Sequence, residues 1–150
     1  MIMTRWAIIV TLILAAGTLV AAVEAKKARN DAREIAAVCA VVQLYFDGII
    51  DYDEAKLNKA FHPDAYVIGV NRDGEFERDA FQDWVVYTRG KAPDPTGRNN
   101  TIVSVDIAGR AASVKTDLHW PHVRYIDYLS LLKIDGQWKI VNKIWQSEKP

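Results

Sequence analysis

The sequence predicts an α+β fold in which helices cover one face of a curved sheet. Two observations carry this prediction. Helical spacing of apolar residues dominates the chain up to about residue 90, whereas only strand signals follow residue 100. The second observation is Asp135-Gly136, which separates two apolar strands and is the strongest short-range hairpin signal. Helices that precede a run of antiparallel strands are typical of the α+β class.

The first residues resemble a targeting segment. Arg5 precedes the charge-free apolar run 6–23, and Val23-Glu24-Ala25 places small residues at a plausible cleavage site. Residues 1–25 are therefore predicted to be a signal peptide, and the protein to be exported, either periplasmic or secreted. The alternative is an uncleaved membrane anchor formed by residues 6–23, a run slightly shorter than the about 20 apolar residues of a spanning helix.

One domain is predicted after the leader. Residues 26–30 form a polar lead-in, and residues 31–150 form the domain. Asp31 precedes Glu34 by three positions, the spacing of a capping box, and predicts the start of the first helix. The apolar positions of this helix recur at helical spacing and are Ile35, Val38, Cys39, Val42, Phe46 and Ile49.

Two shorter helices and a strand are predicted next. Asp53 is placed to cap a second helix, which ends before Pro63 because the residue before a proline favours extended backbone. Residues 65–70 form a strand. Asp79 is placed to cap a third helix, and Gly90 lies just past its end.

Four strands complete the predicted domain. They cover residues 101–108 and 111–120, then the two arms of the hairpin, 125–134 and 137–145. Pro121 interrupts the pattern between the second and third of them.

The hairpin can be divided into two faces. A two-residue turn places Leu131 opposite Ile140, Leu129 opposite Asn142 and Asp127 opposite Ile144, and opposed residues share a face. The face predicted to pack on the helices therefore carries Asp127, Leu129, Leu131, Trp138, Ile140, Asn142 and Ile144. Asp127 and Asn142 are its polar residues away from the turn, and they predict a pocket.

The opposite face of the hairpin is too apolar for plain solvent exposure. It carries Ile126, Tyr128, Ser130, Leu132, Lys139, Val141, Lys143 and Trp145. Exposed apolar surface of this extent is typical of a protein contact. A homodimer that pairs sheet to sheet is therefore predicted.

Composition and motifs argue against several other functions. The 19 basic and 19 acidic residues balance and form no basic stripe, so nucleic acid is not an expected partner. Cys39 is the single cysteine and is interpreted as a small apolar residue. His119 and His122 have no obvious third ligand near them, so no metal is predicted, and no cofactor motif is present.

Two stretches resemble a known family. They are Phe61-His62-Pro63-Asp64-Ala65 and the segment 127–143, which reads DYLSLLKIDGQWKIVNK. Together with the order of elements they resemble the lumazine-binding family of the nuclear-transport-factor-2-like superfamily, alongside ketosteroid isomerases and polyketide cyclases. The resemblance implies a cone-shaped barrel with three helices on a strongly curved mixed sheet and a pocket inside the cone.

The expected function is binding of a small apolar or aromatic molecule, without established catalysis. The candidate ligand-binding residues are Asn142, Tyr45, Trp84, Tyr87 and His119. An alternative is an isomerase or dehydratase with Asp127 as catalytic general base, although the same carboxylate could instead organise the sheet. A second alternative is a protein-interaction subunit whose vestigial pocket is filled by large aromatic side chains.

Overall fold

The computed structural model describes the backbone of residues 3–148 and the side chains of residues 22–148. The chain forms two compact units, residues 1–34 and residues 35–150. The described backbone of the first unit, residues 3–34, is helical throughout. The predicted helix start at Asp31 is therefore wrong, because helix α1 spans Met3–Asp51 and Asp31 lies inside it.

Most of the predicted leader, residues 1–25, lies outside the residues whose side chains are described. Its interpretation as a signal peptide or an anchor therefore stays a prediction. Among the described residues, no helix is both long and apolar enough to cross a membrane.

The second unit contains the end of α1, two short helices and one sheet. The elements are α2 (Glu54–Ala60), β1 (Phe61–Val70), β2 (Phe76–Ala80), α3 (Phe81–Trp84) with a 3₁₀ turn (Val85–Thr88), β3 (Asn99–Ala108), β4 (Ala111–Trp120), β5 (Val123–Ile134) and β6 (Gln137–Glu148). The strand order is β2-β1-β6-β5-β4-β3. β1 and β6 are parallel and the other neighbours are antiparallel. This mixed six-stranded sheet with three helices confirms the predicted α+β cone fold.

The second helix begins as predicted, but it ends at Ala60, and Pro63, which was expected to stop it, lies in β1. The Asp53 carboxylate accepts a hydrogen bond from the Lys56 N–H at 3.1 Å, which satisfies one of the free N–H groups at the helix start. At the other end the Phe61 N–H donates to the Leu57 carbonyl, and the chain turns directly into β1.

The third helix differs from the prediction. Asp79 does not cap it, because Asp79 lies in β2 opposite Val67. The helix begins at Phe81 after Ala80, without a side-chain cap, and lasts one α-helical turn before the 3₁₀ turn. β2 was not predicted, since this polar edge strand lacks an alternating apolar pattern.

The hairpin turn is the predicted two-residue turn. Asp135 and Gly136 have φ angles of 49° and 80°, and a positive φ at both central residues is what a type I′ turn requires. The predicted pair of Leu131 with Ile140 is confirmed.

Beyond that pair a β-bulge shifts the register. Val141 is an extra residue in β6, so Leu129 lies opposite Lys143 and Asp127 lies opposite Trp145. The predicted partners of Leu129 and Asp127, Asn142 and Ile144, are therefore wrong.

The bulge exchanges the two faces of β6. Lys143 is buried and Trp145 lines the interior, whereas Asn142 is half-buried on the other face and Ile144 is 50% exposed. A one-residue shift moves every later side chain to the opposite face, because side chains alternate along a strand.

The core lies between the helices and the inner face of the sheet. Val38, Val42, Tyr45, Phe46 and Ile49 supply the buried side of α1. The strands contribute the buried residues Phe61, Ala65, Val67, Ala112, Val114, Leu118, Leu129, Leu131, Trp138 and Ile140.

Candidate functional site

A cavity of about 260 Å³ opens between α1, the third helix and the inner face of the sheet. Most of its lining is aromatic. The lining residues are Tyr45, Ile49, Glu77, Trp84, Tyr87, Leu118, Trp120, Tyr125, Lys143 and Trp145. An apolar cavity with a few polar groups is the usual form of a small-molecule site.

Three polar side chains meet in the interior beside this cavity. The Tyr45 hydroxyl donates a hydrogen bond to Asp127 Oδ2 at 2.6 Å. Lys143 Nζ donates to the Tyr45 hydroxyl oxygen at 3.1 Å and lies 3.7 Å from Asp127 Oδ2. We call Tyr45, Asp127 and Lys143 the buried triad.

Burial shifts the pKa values of Tyr45 and Lys143 in the triad. Asp127 is 0% exposed, Tyr45 1% and Lys143 7%. Burial, and next the Asp127 charge, hold the pKa of Tyr45 well above its usual value. Burial lowers the pKa of Lys143, although the Asp127 charge opposes this shift. Both shifts favour the neutral forms of the phenol and the amine.

Three elements position the triad. Tyr45 lies on the buried side of α1, Asp127 on the inner face of β5 and Lys143 just past the bulge of β6. Asp127 is also opposite Thr116 of β4. Asp127 Oδ1 and Thr116 Oγ1 are both buried and have no hydrogen-bond partner among the described residues.

The structure brings some of the predicted site residues together. Tyr45, Trp84 and Tyr87 line the cavity. Asp127 is hydrogen bonded to Tyr45 but is not among the described residues that line the cavity. The Tyr45 hydroxyl therefore links the Asp127 carboxylate to the cavity by a hydrogen bond.

Two predicted site residues lie elsewhere. Asn142 was expected on the inner face, but the bulge turns it to the outer face, where it pairs with Ser130. The His119 side chain is 54% exposed, lies 3.0 Å from the Asp117 carboxylate and is not among the described residues that line the cavity. His119 faces outward because its neighbours Leu118 and Trp120 alternate to the inside.

Apart from the core residues Ile49 and Leu118, five lining residues were not predicted as site residues, and they are Glu77, Trp120, Tyr125, Lys143 and Trp145. For two of them a signal was available. Trp120 and Tyr125 lie two positions from the inward residues Leu118 and Asp127, as alternation along a strand requires. Lys143 and Trp145 could not be found this way, since the bulge reverses their expected face.

Among the described residues, no group of three or more His, Cys, Asp or Glu side chains is arranged to hold a metal ion.

Comparison with known proteins supports the fold. The aldolase FrzH of Cladobotryum sp is 28% identical over 116 residues, which are 76% of this chain and 91% of the aldolase. A nuclear-transport-factor-2-like protein of unknown function from Shewanella baltica is 28% identical with a TM-score of 0.71, covering 79% of this chain and 97% of that one. A ketosteroid isomerase-like protein from Erwinia carotovora, 13% identical with a TM-score of 0.60, covers 78% of this chain and 98% of its own and shares the fold.

A sequence model of one family matches residues 33–146, nearly all of the second unit. That family is described as "Putative lumazine-binding". The family resemblance carried by the two motifs is thereby confirmed. The chain belongs to this lumazine-binding family, within the nuclear-transport-factor-2-like superfamily.

Proposed function

We propose that the second unit binds a small aromatic or conjugated molecule in the cavity. The observation that carries the proposal is the ring of Trp84, Tyr87, Trp120, Tyr125 and Trp145 around about 260 Å³. This volume lies just below the about 300 Å³ at which pockets for drug-sized ligands begin. It suits a molecule of one or two rings.

The rings line the cavity from two sides. Trp84 at the end of the third helix and Tyr87 in the following 3₁₀ turn have ring centroids 5.0 Å apart. Tyr125 contacts Trp120 edge-on at 5.3 Å and Trp145 at 6.1 Å on the sheet. A planar ligand between these groups would meet aromatic surface on both sides, where stacked and edge-on contacts are favourable. Membership of a family named for binding an aromatic compound supports the same class of ligand.

Native mass spectrometry of the full chain purified from its host tests binding directly. We expect a co-purifying small molecule, and its addition to ligand-free protein should quench tryptophan fluorescence. Tyr87→Ala should weaken the titration at least tenfold, whereas Tyr128→Ala, a matched change on the outer face where Tyr128 is 48% exposed, should leave it unchanged. Equal effects of the two substitutions would refute the cavity as the binding site.

A second candidate function is acid–base catalysis at a carbon next to a carbonyl group, as in an isomerase, dehydratase or aldolase. The buried triad favours it, because Tyr45 places a hydroxyl at the cavity and keeps it hydrogen bonded to Asp127. The similarity to an aldolase supports the same class of chemistry. In this arrangement Tyr45 exchanges the proton with the ligand, and Asp127 accepts it through the tyrosine instead of acting directly as the base.

Exchange of deuterium from solvent into a ketone ligand tests this candidate. Tyr45→Phe and Asp127→Asn should both reduce the exchange rate by at least a hundredfold, in the range expected for loss of general acid–base catalysis. If Asp127→Asn alone abolished exchange while Tyr45→Phe left it intact, the carboxylate would be the direct base.

We further propose that the outer face of the sheet pairs two copies of the chain. Tyr128 and Ile144 lie opposite each other there and are 48% and 50% exposed, and Tyr66 at 37% is close by on β1. Exposed apolar surface of this kind is typical of an interface. Light scattering should give twice the monomer mass for the wild type and the monomer mass for Ile144→Asp; a monomeric wild type at micromolar concentration would refute the pairing.

Export is also proposed, from the apolar run and cleavage site near the start of the sequence. The amino terminus of protein isolated from its host decides the matter. A chain that begins at Lys26 supports a cleaved signal peptide, and a chain that keeps residues 6–23 in a membrane fraction supports the anchor.

A further inference from the structure

We propose that Lys143 is a covalent site, whose side-chain amine forms an imine with an aldehyde or ketone held in the cavity. The inference rests on the proposed binding function, since the carbonyl compound must first occupy the cavity. It goes beyond binding because it assigns a bond-forming nucleophile.

The position of the amine is the first support. Lys143 lines the cavity although its residue is only 7% exposed, so its amine is buried beside the space that a ligand would fill. The bulge at Val141 turns it inward, against the alternation of the rest of β6. A lysine turned into an aromatic cavity by a β-bulge is notable, because lysine is almost never fully buried unless it is paired, as Lys143 is with Asp127 at 3.7 Å.

The hydrogen bonds of the amine do not satisfy an ammonium group. A buried ammonium group has three N–H donors to satisfy. Among the described residues, its hydrogen-bond partner is the neutral hydroxyl of Tyr45 at 3.1 Å. Asp127 Oδ2 lies 3.7 Å from Nζ, which is an ion-pair distance but longer than a hydrogen bond, and Oδ2 already accepts the hydroxyl of Tyr45.

Two kinds of group near the amine favour its charged form instead. The charge of Asp127 and the rings of Trp84 and Tyr45, at 5.0 and 5.3 Å from Nζ, stabilise an ammonium. Burial nevertheless lowers the pKa of Lys143. Glu77, Tyr87 and Tyr125 are the other titratable groups around the cavity. Each unit by which the pKa falls raises the neutral fraction at pH 7 about tenfold.

The triad can also carry the protons of the reaction. The Nζ lone pair attacks the carbonyl carbon, the nitrogen–carbon bond forms, and the π electrons of the carbonyl move to its oxygen. Tyr45 can take a proton from nitrogen while it passes its own to Asp127, and the relay can return that proton to the oxygen. The carbon–oxygen bond then breaks, and the two hydrogens of the amine leave with the oxygen as water. No oxidant or reductant is consumed.

The lining defines the class of carbonyl compound. Trp84, Trp120 and Trp145 surround the cavity with aromatic surface. An aryl or conjugated aldehyde or ketone of one ring can therefore stack while its carbonyl faces Nζ. These carbonyl compounds are a subset of the aromatic molecules that the cavity could bind without forming a covalent bond.

Reductive trapping tests the proposal. The full chain is incubated at pH 7 with benzaldehyde and sodium cyanoborohydride, which reduces an imine to a stable benzyl-lysine, and modified peptides are mapped by mass spectrometry. We expect Lys143 to be modified at least tenfold faster than Lys59, an exposed lysine on α2 that serves as the internal control. Lys143→Arg should lose this fast adduct and keep the slow one at Lys59.

Two further readouts separate the possible failures. Quenching of tryptophan fluorescence by benzaldehyde without cyanoborohydride reports binding in the cavity. Quenching with no preferred adduct at Lys143 would overturn the imine proposal and leave the binding function intact; no quenching and no adduct would count against both. Peptide mapping of the wild type alone already decides the preference, so the result does not depend on the folding of Lys143→Arg.

Discussion

Gly69 allows Trp145 to lie where it does, and replacing it by alanine should close part of the cavity. Gly69 of β1 is paired with Trp145 of β6. A Cβ atom added at Gly69 would lie 2.2 Å from Cε2 and 2.4 Å from Cδ2 of the indole. Ordinary contact begins at 3.4 Å, so the ring would have to move by roughly 1.2 Å, a shift that carbon–carbon repulsion enforces.

The indole is rigid and lines the cavity, so its displacement should alter both stability and binding. Overpacking of this kind usually costs about 1–3 kcal/mol, so we expect Gly69→Ala to lower the free energy of unfolding. In a strand, alanine is more stable than glycine by about 0.5–1 kcal/mol, and this gain offsets part of the overpacking cost. Urea unfolding measures the stability, and fluorescence titration with a cavity ligand measures the affinity.

Trp145→Leu provides the matched background. Without the indole, the same Gly69→Ala change should be neutral or stabilising by up to about 1 kcal/mol. The double-mutant cycle then gives a coupling of about 1–3 kcal/mol between the two positions. If Gly69→Ala cost as much in the Trp145→Leu background as in the wild type, the close approach of the indole would not be the reason for this glycine.

Three further predictions concern the triad and the hairpin turn. Tyr45→Phe leaves Asp127 Oδ2 without its buried hydrogen-bond donor. It should lower the melting temperature by an amount that corresponds to a loss of about 1–3 kcal/mol in the free energy of unfolding. The exposed control Tyr128→Phe should change the melting temperature little. Because burial lowers the pKa of Lys143, the unfolded lysine binds more protons than the folded one in the interval just below the ordinary lysine pKa of about 10.4. Stability should therefore rise with pH as the pH approaches about 10.4 from below. Lys143→Met should remove that rise in urea unfolding, and an unchanged slope would contradict the prediction. Gly136→Ala meets no atom within 4 Å but has a φ of 80°, so it should cost about 1–2 kcal/mol through backbone strain alone, and a neutral result in the same assay would rule out that strain.

The hairpin shows what the sequence could predict. The turn at Asp135-Gly136 was predictable because a positive φ at both positions favours few residues. The first pairs beyond it followed from the turn. The bulge at Val141 was not predictable, since valine suits a regular strand and no local signal marks it as the extra residue.

The same difference between regular patterns and the bulge applies to the residues of the candidate site. Tyr45 and Asp127 could be placed inside because one follows helical spacing and the other strand alternation. Lys143 could not, because charge and alternation both assigned it to the outer face. The edge strand β2 was missed for a related reason: its residues are mostly exposed, so burial leaves no pattern in the sequence.

The bulge at Val141 has a consequence for comparisons between relatives. A homologue that lacks this extra residue would align with a one-residue gap, yet its counterpart of Lys143 would still lie opposite Leu129 and point inward. A homologue of equal length whose last strand runs without the bulge would align without a gap, but its counterparts of Asn142 and Ile144 would point inward instead. An alignment without a gap in this strand can therefore pair homologues that have different residues facing the cavity. An alignment with a gap at this position can pair homologues that have the same residues facing the cavity.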